Sequence, residues 1–294
     1  MVTLSLLYPI GINMSYGADP ILKCTILISM KIKPYLEAVE GIKKVFNKDP
    51  DIKTEFFFLE DVEKAWKTKQ IFSNTTHENS SIIAVGPEAA LFLKSNLRDK
   101  SIIQVITMVS NPSSLLPHQE TSFCGFFLSV NARDQIESLN GTFPQIKSLG
   151  ILYDERYNSK YIKKAKIIGS YLNINIIPLM VRSKDQVPAL LEKNWKKIDG
   201  LLLIPDATVI SASFVKYIIK DGIFNNVPVI GYNNFFIQSG ALMAFVYDYE
   251  HVGMTTAVFA RDLIMGKQKC RLIASDFRVV VNKRIVRYLG LKEK

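Results

Sequence analysis

The run Gly200-Leu201-Leu202-Leu203-Ile204-Pro205-Asp206 decides how this chain folds. A short continuous apolar run stops abruptly at a proline and a carboxylate. A run of that length without polar alternation suits a strand covered on both faces. Its neighbours repeat the pattern. Ser148–Leu152 stops at Tyr153-Asp154, Ile174–Leu179 follows, and Val227–Ile230 stops at Gly231-Tyr232-Asn233. Between these runs lie amphipathic stretches of helical length, Ser159–Leu172, Lys184–Trp195, Ser211–Asp221 and the short Asn234–Ser239. Ala241–Val246 adds a fifth strand. Tyr249–Met265 reads as a long helix stopped by Gly266, Phe277–Val281 as a last strand, and Lys283–Leu289 as a last helix stopped by Gly290.

The first half has the same layout. Cys24–Ser29 is a strand, and a helix follows with Pro34 in its first turn and Leu36, Val39, Ile42, Val45 and Phe46 at helical spacing. Thr54–Leu59 is a second strand, followed by a helix carrying Val62, Ala65, Trp66 and Ile71. Ser81–Val85 ends at Gly86-Pro87-Glu88, which opens a helix to Leu97. Ile102–Ile106 ends in a loop, Thr107–Pro112, and Phe123–Ser129 leads into a helix from about Ala132 to Leu139. A chain of 294 residues has room for about two domains. One strand–helix pattern written twice predicts an α/β protein of two doubly wound, parallel-sheet lobes with right-handed crossovers. In such sheets ligands sit at the carboxyl ends of the strands.

Composition excludes more than it selects. The net charge of +10 comes mostly from lysines spread along the helices. No dense basic block interleaved with aromatics points to nucleic acid. Lys163-Lys164 and Lys196-Lys197 read as solvated helix faces, with a loose attraction to an anionic membrane surface as their residual role. The three cysteines have no metal-ligand spacing. Cys24 and Cys124 read as small buried apolar residues, and a disulfide between two of the three stays open. At the N-terminus, the apolar Val2–Ile12 followed by Ser15-Tyr16-Gly17-Ala18-Asp19-Pro20 resembles the back half of a secretory signal without its basic front. The expectation is an exported, periplasmic-type protein. That run is too short to span a bilayer. Lys23 stands directly before Cys24, where lipid attachment wants a small residue, so no lipoprotein is expected.

Catalytic signatures are missing. No G-x-G-x-x-G follows either first strand, and there is no G-x-x-x-x-G-K-[ST], H-E-x-x-H or G-x-S-x-G. His77 and His118 fall in polar loops and His251 opens the long helix, so all three read as surface residues. No carboxylate pair demands acid–base work. The expectation is a binding protein with no catalytic residue, no metal and no cofactor.

Several stretches, in order, resemble one family. Gly150-Ile151-Leu152-Tyr153-Asp154 with Asn158-Ser159 and a Lys-rich helix is similar to the second-lobe opening of ABC-transporter substrate-binding proteins of the tryptophan/tyrosine type. So are Asp199–Val209, Val227-Pro228-Val229-Ile230-Gly231-Tyr232, Ser239-Gly240-Ala241-Leu242, and Asp248-Tyr249 with Gly253. Ile32-Lys33-Pro34-Tyr35 with Ala38-Val39-Glu40-Gly41 resembles the family's first helix. Arg278–Asn282 with Leu289-Gly290-Leu291 resembles its C-terminus. The resemblance covers roughly residues 24–291. It implies the type I periplasmic-binding-protein fold, two lobes joined by three crossovers and closing on a small solute. Lobe one would be 22–128 plus 249–272, and lobe two 129–248 plus 273–294, with crossovers near Ser129, Asp248 and Ala274. The implied partners are a membrane permease and its separate ATPase, with the binding protein itself a monomer.

The strand tips supply the candidate ligand residues. Ser29 offers a hydroxyl to a carboxylate, and Gly86, Pro87 and Glu88 open a helix whose free N–H groups suit an anion. Ser110 and Asn111 offer polar contacts. Tyr153 can stack on a ring. Asp154 and Asp206 suit an ammonium group. Tyr232 and Asn233 stand where a ligand edge is read, and Asp248 lies at a crossover. Each also has an ordinary reading as a cap, turn or core residue. This inventory fits an amino acid, which needs partners for both its charged ends. Two rival functions share the fold: a sensory module reporting to a membrane partner, and a two-lobed α/β enzyme.

Overall fold

Strand β1 (Leu22–Ile28) is almost wholly buried and pairs in parallel with β2 (Ile52–Phe58) on one side and β3 (Ser80–Val85) on the other. Ile26 thereby stands level with Phe56 and Ile83. The computed structural model describes residues 22–61, 80–97, 101–110, 112, 123–129, 131–206, 208 and 211–294. The anticipated signal-like segment and the helix of Val62–Ile71 lie outside these residues. Beyond β3 come β4 (Ile103–Val109), β5 (Phe123–Phe127) and the short β11 (Leu272–Ala274), giving an all-parallel sheet in the order β11-β5-β4-β3-β1-β2. Every residue of β3 is buried, as a central strand covered on both faces requires.

The second sheet runs β12-β10-β9-β8-β6-β7. Its members are β6 (Ser148–Tyr153), β7 (Asn175–Met180), β8 (Gly200–Leu203), β9 (Val229–Gly231), β10 (Met243–Val246) and β12 (Arg278–Val281). Only β12 is antiparallel. The chain passes between the sheets three times: after β5, after β10, and between β11 and β12.

Helices cover both sheets. They are α1 (Lys33–Phe46), α2 (Pro87–Asn96), α3 (Ala132–Thr142), α4 (Glu155–Leu172), α5 (Val187–Glu192), α6 (Ala212–Phe224), α7 (Asn234–Gln238), α8 (Tyr249–Ile264) and α9 (Lys283–Tyr288). The α3, α4 and α9 residues Ile136, Ile162 and Ile285 share one apolar core beneath the second sheet, while Val187, Ile218 and Phe236 of α5, α6 and α7 build another. Although it follows β10 in sequence, α8 packs into the first sheet's core through Val252, Ala257 and Ala260. It crosses α1 at two glycines. A Cβ on Gly41 would lie 2.0 Å from the Glu250 carbonyl oxygen, and one on Gly253 would lie 1.9 Å from that of Ala38.

Three departures from expectation have physical causes. β4 continues through Thr107–Val109, where a loop was anticipated. Met108 takes φ 60° there, and the register with β5 shifts between Ile106 and Val109, so a bulge absorbs the turn. The helix anticipated over Lys184–Trp195 is a short 3-10 turn, then α5 from Val187, then a second turn, Trp195–Lys197. Pro188 lacks an N–H and belongs in a first turn, so the α-helix starts beside it. Finally, Cys124 is not a free apolar filler. It is bonded to Cys270, and this disulfide holds the segment leading into β11 against β5.

Cys24 is free and buried, and burial pushes its thiol up to about 12. Because the folded value is raised, the neutral thiol contributes stability below its ordinary value of 9.0, and this is lost as pH rises toward the folded value. Folded protein at pH 8 should therefore show no thiol reactive to a disulfide-exchange reagent. Denaturation without reductant should expose Cys24 alone, and reduction should raise the yield to three. Rapid labelling of the folded protein would contradict this burial.

Candidate functional site

The first cluster forms at the carboxyl end of the first sheet. Ser29 directly follows β1, and its N–H donates to Val85 O at 2.9 Å. Its buried hydroxyl oxygen accepts the Ala89 N–H at 2.9 Å, which fixes the start of α2. Gly86 takes φ 96°, and a Cβ there would lie 2.5 Å from Ser29 Oγ and 2.8 Å from Tyr35 Cε2, so glycine is needed for both reasons. The Gly86 N–H donates to Thr107 O, and Pro87 has none to offer. Much of the helix start anticipated as an anion cradle is thus already partnered within the protein. Tyr35, not singled out as a ligand residue from sequence, lies against Gly86. Burial, and then the Glu88 carboxylate, push its hydroxyl up to about 12. Glu88 and Ser110 are exposed beside this cluster. Asn111 lies outside the described residues.

The second cluster forms at the ends of β6 and β8. The fully buried Asp154 accepts bonds from Arg156 N at 2.9 Å, Arg156 Nε at 3.0 Å, Arg156 Nη2 at 2.5 Å and Thr208 Oγ1 at 2.7 Å. Asp206, also buried, accepts from Asp154 N at 2.7 Å, Asn158 Nδ2 at 2.8 Å and Thr208 N at 2.9 Å. The two carboxylates therefore weld the β6 and β8 tips together, and Asp154 is fully engaged rather than open to an ammonium group. The Arg156 guanidinium, then the Thr208 hydroxyl, hold the Asp154 carboxyl well below the usual carboxylate range. With the folded value depressed, the stability it contributes is present above 3.8 and lost as pH falls through the folded value. Asp154→Ala should destabilise the protein by about 1–2 kcal/mol through the lost α4 cap alone. In urea unfolding, the gap to wild type should narrow only in strong acid.

The third group gathers where the chain leaves the second sheet. Tyr153 is buried in the core with Ile162 and Phe245, so it packs inward instead of presenting a ring. Asn233 and Asp248 cap α7 and α8, accepting from Phe235 N and His251 N, each at 3.0 Å. Tyr232 is half-buried against Phe236, at 4.7 Å between ring centroids. Its hydroxyl is raised by burial, then by Asp206 and Tyr249. Tyr249 in turn is raised by burial and by Glu37 of α1, and its ring stacks on Tyr247 at 6.5 Å. The Tyr247 hydroxyl is buried with no hydrogen-bond partner among the described residues. Tyr247 and Tyr249 escaped the strand-tip reading, although Tyr247 directly follows β10. Among the described residues, no cluster of His, Cys, Asp or Glu is placed to hold a metal ion.

Residues 26–294 match the family described as ABC transporter substrate binding protein. The chain belongs to the ABC transporter substrate-binding protein family. Membership implies a small-molecule ligand and an ABC transporter in the membrane. Solved structures share the type I periplasmic-binding-protein fold. A ligand-free, open substrate-binding protein with adhesive properties from Clostridium difficile superposes with a TM-score of 0.78 at 22% identity, covering 93% of this chain and 96% of that one. An ABC domain in complex with L-Trp from Streptococcus pneumonia gives 0.64 at 18% identity, covering 92% and 95%. A periplasmic ribose ABC transporter protein from Conexibacter woesei gives 0.60 at 12% identity, covering 93% and 97%. Likenesses at these identities establish the fold of this substrate-binding protein. No curated protein sequence matches it. No helix among the described residues is long and apolar enough to cross a membrane.

Proposed function

We propose that this protein is the extracytoplasmic solute-binding component of an ABC importer, capturing an amino acid between two lobes and releasing it unchanged. The lobes are taken as 22–128 plus 249–272 and 129–248 plus 273–294. The observation that supports the reading is that polar and aromatic groups gather at the carboxyl ends of the strands in both sheets. Ser29 and Gly86 directly follow β1 and β3, with Tyr35 of α1 and Glu88 of α2 beside them, while Asp206 and Tyr232 follow β8 and β9 of the other sheet. Glu88, exposed beside the first cluster, supplies negative charge for an ammonium group. The hydroxyls of Ser29 and Ser110 suit a carboxylate, and the tyrosines line the space for a side chain. A ligand touching both lobes binds the closed state better than the open one, and that difference drives closure. The closed pair of lobes is what the permease would recognise. The Cys124–Cys270 disulfide supports an oxidising, extracytoplasmic setting.

Titration calorimetry across the amino acids tests this. A binding amino acid should lose about tenfold in affinity with Ser29→Ala, the worth of one hydrogen bond. Tyr232→Ala should cost about thirtyfold or more, as for a central aromatic anchor. Unchanged affinity in both well-folded variants would place the ligand elsewhere.

A further inference from the structure

Helix α4 buries Ile162, Ala165, Ile168 and Gly169 and turns a different stripe outward. On that outward side Ile167 is 58% exposed and Tyr171 78%, while Tyr157, 58% exposed, lies before a kink at Asn158. At 1.5 Å per residue Ile167 and Tyr171 stand one turn apart, about 6 Å along the axis. Helical spacing sets Lys160, Lys163 and Lys164 along the same arc, and Lys166 lies on the same helix. None of these four lysines is in an ion pair among the described residues. Arg156 is taken by Asp154, and the helix has one carboxylate, Glu155.

Single exposed apolar residues are ordinary, but an aromatic and aliphatic stripe edged by unpaired lysines is not. We infer that this face of α4 docks onto an anionic phospholipid surface. Tyrosine rings with polar tips suit the headgroup boundary, and lysine stems lie along apolar surface while their charges reach the phosphates. A second copy of the chain is disfavoured, because the lysines would face one another on a protein of net charge +10. A groove in a protein partner would have to strip water from the lysine heads, whereas a headgroup layer leaves them hydrated.

Helix α6 provides an internal comparison. It exposes Tyr217 and Phe224 and carries Lys216 and Lys220, but it also carries Asp221 and packs into a different core from α4.

Co-sedimentation with phosphatidylcholine vesicles, with and without phosphatidylglycerol, tests the inference without reference to any solute. The full-length protein should bind only the anionic vesicles, and more weakly as salt rises. Lys160→Glu/Lys164→Glu should weaken binding on the order of thirtyfold or more, since each lysine near such a surface contributes about fivefold. Lys216→Glu/Lys220→Glu makes the same charge change on α6 and should bind nearly as wild type. Ile167→Ser/Tyr171→Ser should weaken binding at fixed charge. Circular dichroism confirms that each variant is folded. Absence of binding to anionic vesicles would overturn the inference, as would equal losses in the α4 and α6 charge variants. Transport that fails in α4 variants of a protein indifferent to vesicles would also overturn it, in favour of a protein partner.

Discussion

Gly253→Ala should destabilise the folded protein by about 3 kcal/mol or more, the upper range for forcing a methyl into a packed interior. The added Cβ would stand 1.9 Å from the Ala38 carbonyl oxygen, a backbone atom that moves only if α1 and α8 separate. Separation would open the first sheet's core at Val252, Ala257 and Ala260. It would also strain the crossing at Asp248, which caps α8. Tm should fall by roughly 6–12 °C, taking about 2–4 °C per kcal/mol for a chain of this size. Gly141→Ala is the control. It sits in the last turn of α3 with nothing within 4 Å of its added Cβ, and should be neutral or slightly stabilising. Equal behaviour of the two variants in thermal melts would refute the close helix crossing.

Loss of the Cys124–Cys270 bond should have the second large effect. The bond closes a loop between residues 146 apart in sequence. A cross-link that long restricts the unfolded chain strongly, and its removal typically costs about 2–4 kcal/mol. Cys270→Ser should lower the urea midpoint, and reductant should lower the wild-type midpoint to the same value while leaving the variant unchanged. The segment leading into β11 should be first to lose amide protection from hydrogen exchange, because three short parallel pairings to β5 are then what hold it. A wild-type midpoint indifferent to reductant would contradict the prediction.

Most of the architecture is legible in the residues alone, for a definite reason. Strands covered on both faces must be continuously apolar, so Ser81–Val85 and Gly200–Leu203 announce themselves. β11 is invisible because its three residues are exposed or half-exposed and carry no pattern. The Cys124–Cys270 bond is equally hidden, since the pairing depends on the chain's return to the first sheet after β10, which no local signal marks. The candidate site is legible to a similar degree. Parallel strands point out Ser29, Gly86, Asp206 and Tyr232 by their ends. They do not say which ends stay open, because the closing groups come from elsewhere in the chain. Thr208 and Arg156 fill the coordination of Asp154, and the Ala89 N–H takes one lone pair of the Ser29 hydroxyl. Residues that cap helices are also the types that bind ligands, so Asn233 and Asp248 look alike in both roles until the helix that follows is seen. Tyr35 and Tyr249 pass unnoticed for the opposite reason: their sequence neighbourhoods read as helix, and only the fold sets Tyr35 against Gly86 and Tyr249 against Tyr247.

The space between the two sheets is proposed to capture an amino acid. Native mass spectrometry of gently purified protein, followed by thermal melting against a panel of amino acids and other small solutes, tests it most directly. The expected result is a small bound mass, and a rise in Tm with one amino acid or a few related ones that grows with concentration as mass action requires. A panel in which no amino acid raises Tm, while another class of solute does, would contradict it.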